Sequence, residues 1–183
     1  MSRFKQITYP KESPELVALY KEMVANGLGT DVPINWFTSQ SERPDILEAS
    51  WSLTKGILLH GKLPPTLKQM IAMKVSKQNQ CQYCTTMHTR ALQAMGVPTE
   101  VIDNVTTDIN LKKVPPPQRA IITFALKAAY DPKSVTDADL RSLQENGLSA
   151  GEIMEVVMMA AYSNFINFWA DVSGIRVEDE EKP

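Results

Sequence analysis

One punctuation pattern recurs along this chain and limits what it can fold into. A capping residue or proline opens a segment, apolar residues follow at three- and four-residue spacing, and glycine or proline closes it. Ser13-Pro14 opens a run carrying Leu16, Leu19, Tyr20, Met23 and Val24, closed by Asn26-Gly27. Pro44-Asp45 opens a second, with Ile46, Leu47, Trp51, Leu53, Ile57 and Leu58, which ends near His60-Gly61. Leu63-Pro64-Pro65 starts a third, with Leu67, Met70, Ile71, Met73 and Val75, and a polar break at Gln78-Asn79-Gln80 follows it. A helix through Ala94 or Met95 then stops at Gly96-Val97-Pro98. Proline is tolerated at a first helical position because the N–H it lacks would have no intrahelical partner there, and glycine readily takes the left-handed conformation that ends a helix.

The second half repeats the scheme. Pro98-Thr99-Glu100 begins a short helix through Val105, and residues 106–114 connect it to a helix over Gln118–Tyr130. Thr136-Asp137-Ala138-Asp139 and Ser149-Ala150-Gly151-Glu152 are helix-cap signatures. The second opens the longest apolar stretch, 153–162, which argues for a central helix or one buried between subunits. That helix is expected to run on to Gly174. No alternating strand pattern stands out. The expected fold is therefore all-α, a bundle of about eight helices. Leu63–Gly96 and Leu148–Gly174 echo one another weakly, which suggests two degenerate helical repeats. Val32-Pro33-Ile34-Asn35-Trp36-Phe37 reads as an irregular apolar segment packed over the core.

At 183 residues one compact domain is the default, with an arm at 1–13 and a flexible acidic tail at 176–183. The net charge of −2 and the lack of a basic stripe argue against nucleic acid. No apolar run approaches the ~20 residues of a membrane span, and the N-terminus does not read as a signal peptide. A cytoplasmic location is expected.

The chemistry concentrates in Cys81-Gln82-Tyr83-Cys84-Thr85-Thr86-Met87-His88. Here lie both of the chain's cysteines, three residues apart, with one of its two histidines four residues further on. On a helix, with about 100° per residue, Cys81, Cys84 and His88 share one face. Asn79 is a plausible N-cap, so both sulfurs are expected in the first turn or two, where a helix terminus favours thiolate chemistry. His88 stands one turn beyond, in reach for proton exchange. The residues alone leave three readings open: a redox dithiol, a zinc site using Cys81, Cys84 and His88 with His60 or water as fourth ligand, and a buried inert pair. The redox dithiol is favoured, because nothing supplies a second Cys-X-X-Cys or a histidine pair at ligand spacing. His60 itself reads as a surface or helix-capping residue.

The motif with its flanks resembles the AhpD-like alkylhydroperoxidase family, within the wider carboxymuconolactone decarboxylase-like group. Leu63-Pro64-Pro65 through Gly96 carries the core of the likeness. Pro33-Ile34-Asn35-Trp36-Phe37, Val135-Thr136-Asp137, Leu143, Gly147-Leu148-Ser149 and Asn164-Phe165-Ile166-Asn167 extend it over roughly residues 30–175. The resemblance implies an all-helical homo-oligomer (trimer, hexamer or dimer) and a thiol peroxidase needing no haem, metal or other cofactor. It implies that Cys84 attacks a hydroperoxide, that Cys81 resolves the sulfenic acid, and that His88 serves in a proton relay. An external dithiol of lipoyl or thioredoxin type would reduce the disulfide. A carboxymuconolactone decarboxylase-like enzyme, or a non-catalytic redox-sensing or zinc-binding protein of the same fold, is the alternative.

Two positions depart from the archetype. The relay glutamate twelve residues before the first cysteine is Gln69, and the histidine between the cysteines is Tyr83. Gln69 cannot take up a proton near neutral pH, and Tyr83 is a poor base. Glu155, which the internal echo places in the equivalent position, is a candidate substitute.

Overall fold

The computed structural model describes residues 2–8, 13–108 and 110–178. The tail beyond 178 and part of the arm lie outside the described residues. Nine α-helices are present among them: α1 Pro14–Ala25, α2 Asn35–Thr38, α3 Pro44–Thr54, α4 Pro65–Gln78, α5 Gln82–Ala94, α6 Thr99–Thr107, α7 Pro116–Tyr130, α8 Asp137–Glu145 and α9 Ala150–Ser173. A π-turn at Lys55–Leu59 continues α3, and a 3-10 turn at Pro132–Ser134 precedes α8. No strand is present among the described residues, which leaves the fold all-α.

The cap signatures act as read. Ser13 accepts from the Leu16 amide with Pro14 at the first position of α1. Thr136 and Asp139 form a reciprocal capping box on α8. Ser149 and Glu152 do the same for α9: the Ser149 amide donates to Glu152, and the Glu152 amide donates to the Ser149 hydroxyl. Each such cap satisfies amides that would otherwise lack partners and stabilises by about 1 kcal/mol.

The chain, read as one domain from its length, sorts into two compact units. The first comprises 1–55 and 168–183. Its core gathers Leu16, Leu19, Tyr20, Met23, Trp36, Phe37, Leu47 and Trp51. The segment at 32–37 is ordered differently from its irregular reading: Asn35–Thr38 forms the short helix α2, and Phe37 packs edge-on to Trp51 at 5.9 Å. The Phe4 ring stacks on Trp169 at 5.1 Å, which ties the arm to the end of α9.

The second unit, Gly56–Asn167, holds every residue of the candidate site. Its axis is α4, which packs against α5, α6 and α7. Every residue from Leu67 to Ser76 is buried, so this helix is surrounded on all sides. The long apolar stretch at 153–162 is not the central element of the chain, since Met154, Val157 and Met158 on α9 are exposed. The echo between 63–96 and 148–174 is also unequal: the first stretch makes the pair α4 and α5, the second the single helix α9.

Surrounding α4 completely means burying Lys68, and the fold answers that charge. Its ammonium donates to the carbonyls of Ile57 and His60 and lies 3.2 Å from the Glu155 carboxylate. Glu155 also accepts from the amides of Lys62 and Leu63. Gly61 sits beside it at φ 111°, where a side chain would be strained and would collide with the carboxylate. Removing one partner of such a pair leaves a buried charge uncompensated. Glu155→Ala is therefore expected to destabilise the fold by about 2–4 kcal/mol, and Glu155→Gln by less, as read by urea unfolding.

Candidate active site

Local sequence explains where the two sulfurs end up. Helix α4 ends at Gln78, Asn79 forms its C-cap, and Gln80 turns the chain at φ 61°. Cys81 is then the N-cap of α5, a role the sequence reading gave to Asn79. The Cys81 amide donates back to the Ser76 carbonyl at 3.0 Å, and its own carbonyl accepts from the Thr85 amide and hydroxyl. Cys84 lies in the first turn of α5, so both thiols do fall at the start of this helix. Both are buried.

His88 follows one turn later, buried on the same helix. Its Nδ1 lies 2.6 Å from Gln69 Oε1 on α4. A carboxamide oxygen can only accept, so Nδ1 carries the proton and Nε2 is the basic nitrogen. Burial pushes the imidazole down from 6.5 to about 4, so His88 is neutral at physiological pH. Gln69 thus sets a tautomer where the archetypal glutamate would also exchange a proton. Tyr83 is buried beside Cys84 in the chain. The Cys84 thiol lies 3.7 Å from the Ile166 carbonyl of α9, a weak S–H donor contact.

Gln69 and His88, both singled out in the sequence, meet here, and both cysteines lie at the start of α5. Glu155 is held elsewhere. Burial alone would raise its carboxyl, but the amides of Lys62 and Leu63 and the Lys68 ammonium outweigh that and keep it below the usual carboxylate value. Exposed His60 presents its carbonyl to Lys68. No group of three or more His, Cys, Asp or Glu is placed to hold a metal ion among the described residues.

What sequence reading missed is the polar cluster behind the thiol turn. The Asn79 amide nitrogen donates to Asn164 and Asn167 of α9, both at 2.8 Å, and Asn167 donates to the Ser76 hydroxyl. The available signal was a pair of asparagines three apart, hence on one face, inside an otherwise apolar helix.

An all-helical unit thus places two buried cysteines at the start of one helix, with a neutral imidazole one turn on. Residues 44–109 match the Carboxymuconolactone decarboxylase family. In structure the chain is similar to an uncharacterised peroxidase-related protein with an alkylhydroperoxidase AhpD core from Ralstonia eutropha JMP134. The two share 28% identity and a TM-score of 0.83, over 98% of this chain and 93% of that one. A peroxidase-related protein from Silicibacter sp. TM1040 shares the fold at 20% identity and TM-score 0.82, over 98% and 96% of the two chains. So does a cysteine-to-alanine variant of the debrominase Bmp8 in complex with 2,3,4-tribromopyrrole, at 21% identity and TM-score 0.78, over 97% and 94%. No curated protein matches the sequence. The family match spans about a third of the chain, and with the structural likenesses it supports an AhpD/carboxymuconolactone decarboxylase-like relationship.

Proposed function

We propose that this protein is a thiol-dependent oxidoreductase that reduces hydroperoxides through Cys84, Cys81 and His88. The observation that carries this reading is the placement of Cys81 at the N-cap and Cys84 in the first turn of α5, one helical turn before a histidine whose Nδ1 meets Gln69 Oε1. The Cys84 thiolate attacks the outer peroxide oxygen; the O–O bond breaks, the alkoxide takes a proton, and Cys84 becomes a sulfenic acid. The Cys81 thiolate then attacks the Cys84 sulfur, and water leaves as the disulfide forms. An external dithiol, of lipoyl or thioredoxin type, restores both thiols by exchange. His88 Nε2 would take the thiol proton and return it to the leaving oxygen. No haem, metal or other cofactor enters this scheme.

The replacement of the relay glutamate by Gln69 favours a second reading, an oligomeric redox sensor that forms the same disulfide without sustained turnover. Mass spectrometry after one equivalent of cumene hydroperoxide tests the common step. Loss of two hydrogen atoms, with a disulfide mapped to Cys81 and Cys84, supports the dithiol chemistry; sulfinic acid on Cys84 without a disulfide contradicts it.

The protein is further proposed to work in the cytoplasm as a homo-oligomer, a trimer, hexamer or dimer. Among the described residues no helix is long and apolar enough to cross a membrane. Helix α9 leaves Met154 at 66% exposure, with Val157, Met158 and Phe165 also exposed on helical spacing. Such a face is a natural subunit contact. Met158→Glu with Phe165→Glu is expected to shift the protein to monomer in light scattering with its helicity retained. An unchanged assembly would exclude this face.

A further inference from the structure

Beside the thiol turn lies a branched network of side-chain amides that the mechanism above does not use. Asn79 stands at its centre. Its Nδ2 makes two donations at 2.8 Å, to Asn164 Oδ1 and Asn167 Oδ1. Its Oδ1 lies 2.8 Å from the Tyr130 hydroxyl, which is equally close to the Val75 carbonyl. The partners are themselves tied down: Asn167 donates to the buried Ser76 hydroxyl and Asn164 to the Ala129 carbonyl. Ser76 in turn presents the carbonyl that accepts from the Cys81 amide at 3.0 Å. The Cys84 sulfur meets the same turn of α9 at the Ile166 carbonyl, between Asn164 and Asn167. Both ends of the dithiol are therefore referenced to one turn of α9.

The backbone gives an independent reason why this anchoring matters. Gln80 lies between Asn79 and Cys81 at φ 61°, a left-handed conformation that costs a residue with a side chain free energy. Such strain persists only where the surroundings over-determine it. The saturated Asn79 amide supplies that constraint.

We propose that Asn79, held by Asn164, Asn167 and Tyr130, is a positioning residue that sets the effective concentration of Cys81 toward Cys84. This rests on the reading of the pair as a redox dithiol, though not on hydroperoxide being its oxidant. Closure of a Cys-X-X-Cys pair is intramolecular, so its equilibrium against an external disulfide measures how tightly the first cysteine is confined. With glutathione disulfide, the Cys84 thiolate breaks the glutathione S–S bond and releases one glutathione thiolate. The Cys81 thiolate then displaces the second from Cys84. Two electrons pass to glutathione, and the protein gains one disulfide. Confinement of Cys81 favours the second displacement alone.

The test is a redox titration of the full chain in glutathione buffers, scored by alkylation and mass spectrometry. In Asn79→Ala and Asn79→Asp the oxidation equilibrium constant is expected to fall about tenfold, a potential about 30 mV less negative, with the Cys84–glutathione mixed disulfide accumulating. Asn79→Asp retains shape but turns two donations into opposed oxygens. Tyr130→Phe removes a single hydroxyl and is expected to give a roughly threefold fall; it decides the matter if the Asn79 variants do not fold. Thr136→Ala, which removes a distant helix cap, should lower thermal stability without moving the equilibrium constant. An Asn79 or Tyr130 variant that loses stability as Thr136→Ala does, yet keeps the wild-type constant, overturns the proposal. So does a wild-type protein that forms no internal disulfide against glutathione. A wild type that closes the disulfide, responds to these substitutions and leaves hydroperoxide untouched refutes the peroxidase reading and leaves this inference standing.

Discussion

Replacing Cys84 by serine is expected to lower hydroperoxide reduction by roughly 10³-fold or more, because the hydroxyl that remains is neither ionised nor nucleophilic toward oxygen at neutral pH. Replacing Cys81 should have a different outcome. The first oxidation proceeds, the sulfenic acid on Cys84 finds no internal partner, and a dimedone adduct or mixed disulfide accumulates after a single turnover. The asymmetry is the informative result. It assigns attack to the cysteine inside α5 and resolution to the cysteine at its N-cap. Equal loss in both variants with a dimedone adduct on Cys81 would reverse the roles. Activity unchanged in both would remove the dithiol from the reaction.

The second large effect concerns stability and pH. His88 is buried, and desolvation lowers its imidazole from 6.5 to about 4. The unfolded chain therefore binds this proton more readily than the folded one does. The contribution of neutral His88 is fully present above pH 6.5 and is lost as pH falls toward about 4. That displacement corresponds to about 3 kcal/mol, which is a large share of a typical domain's stability. Urea unfolding of wild type between pH 7 and 4 should show this fall, and His88→Gln should lack most of it. Asp139, held at about 2 chiefly by its hydrogen bond from Lys127, titrates below this window. Its contribution is lost only at lower pH. Parallel pH profiles for wild type and His88→Gln would show that the imidazole is solvated rather than buried.

The fold was legible in the sequence because its helices announce their ends. Pro14, Pro44 and Pro116 occupy first-turn positions, and Thr136–Asp139 and Ser149–Glu152 are capping pairs whose partners lie three residues apart. Such local chemistry needs no knowledge of the tertiary structure. The thiol pair and its histidine were legible for the same reason, since one helix carries Cys84 and His88 and begins at Cys81.

What sequence could not show is long-range. Asn79 has the composition of an N-cap, but its amide is claimed by Asn164 and Asn167, more than eighty residues away, and Cys81 takes the cap. Glu155 falls at a suggestive spacing, but Lys68 is buried in the surrounded helix α4 and the carboxylate is held there. Helix α9 looked central, or buried between subunits, because it is apolar nearly all round. The buried axis is instead α4, whose Lys68, Gln69 and Lys74 lower its apparent hydrophobicity while their polar ends find partners. In each case periodicity reports the character of a segment, whereas burial is decided by what packs against it.

The central claim is that Cys84 and Cys81 reduce hydroperoxides catalytically with Gln69 in place of a proton-accepting relay. The most direct test is steady-state consumption of cumene hydroperoxide by the reduced protein with excess dihydrolipoamide, beside Cys84→Ser. Many turnovers per chain, abolished in the variant, are the predicted result. A single stoichiometric oxidation, with the Cys81–Cys84 disulfide formed and no further consumption while reductant remains, would contradict it.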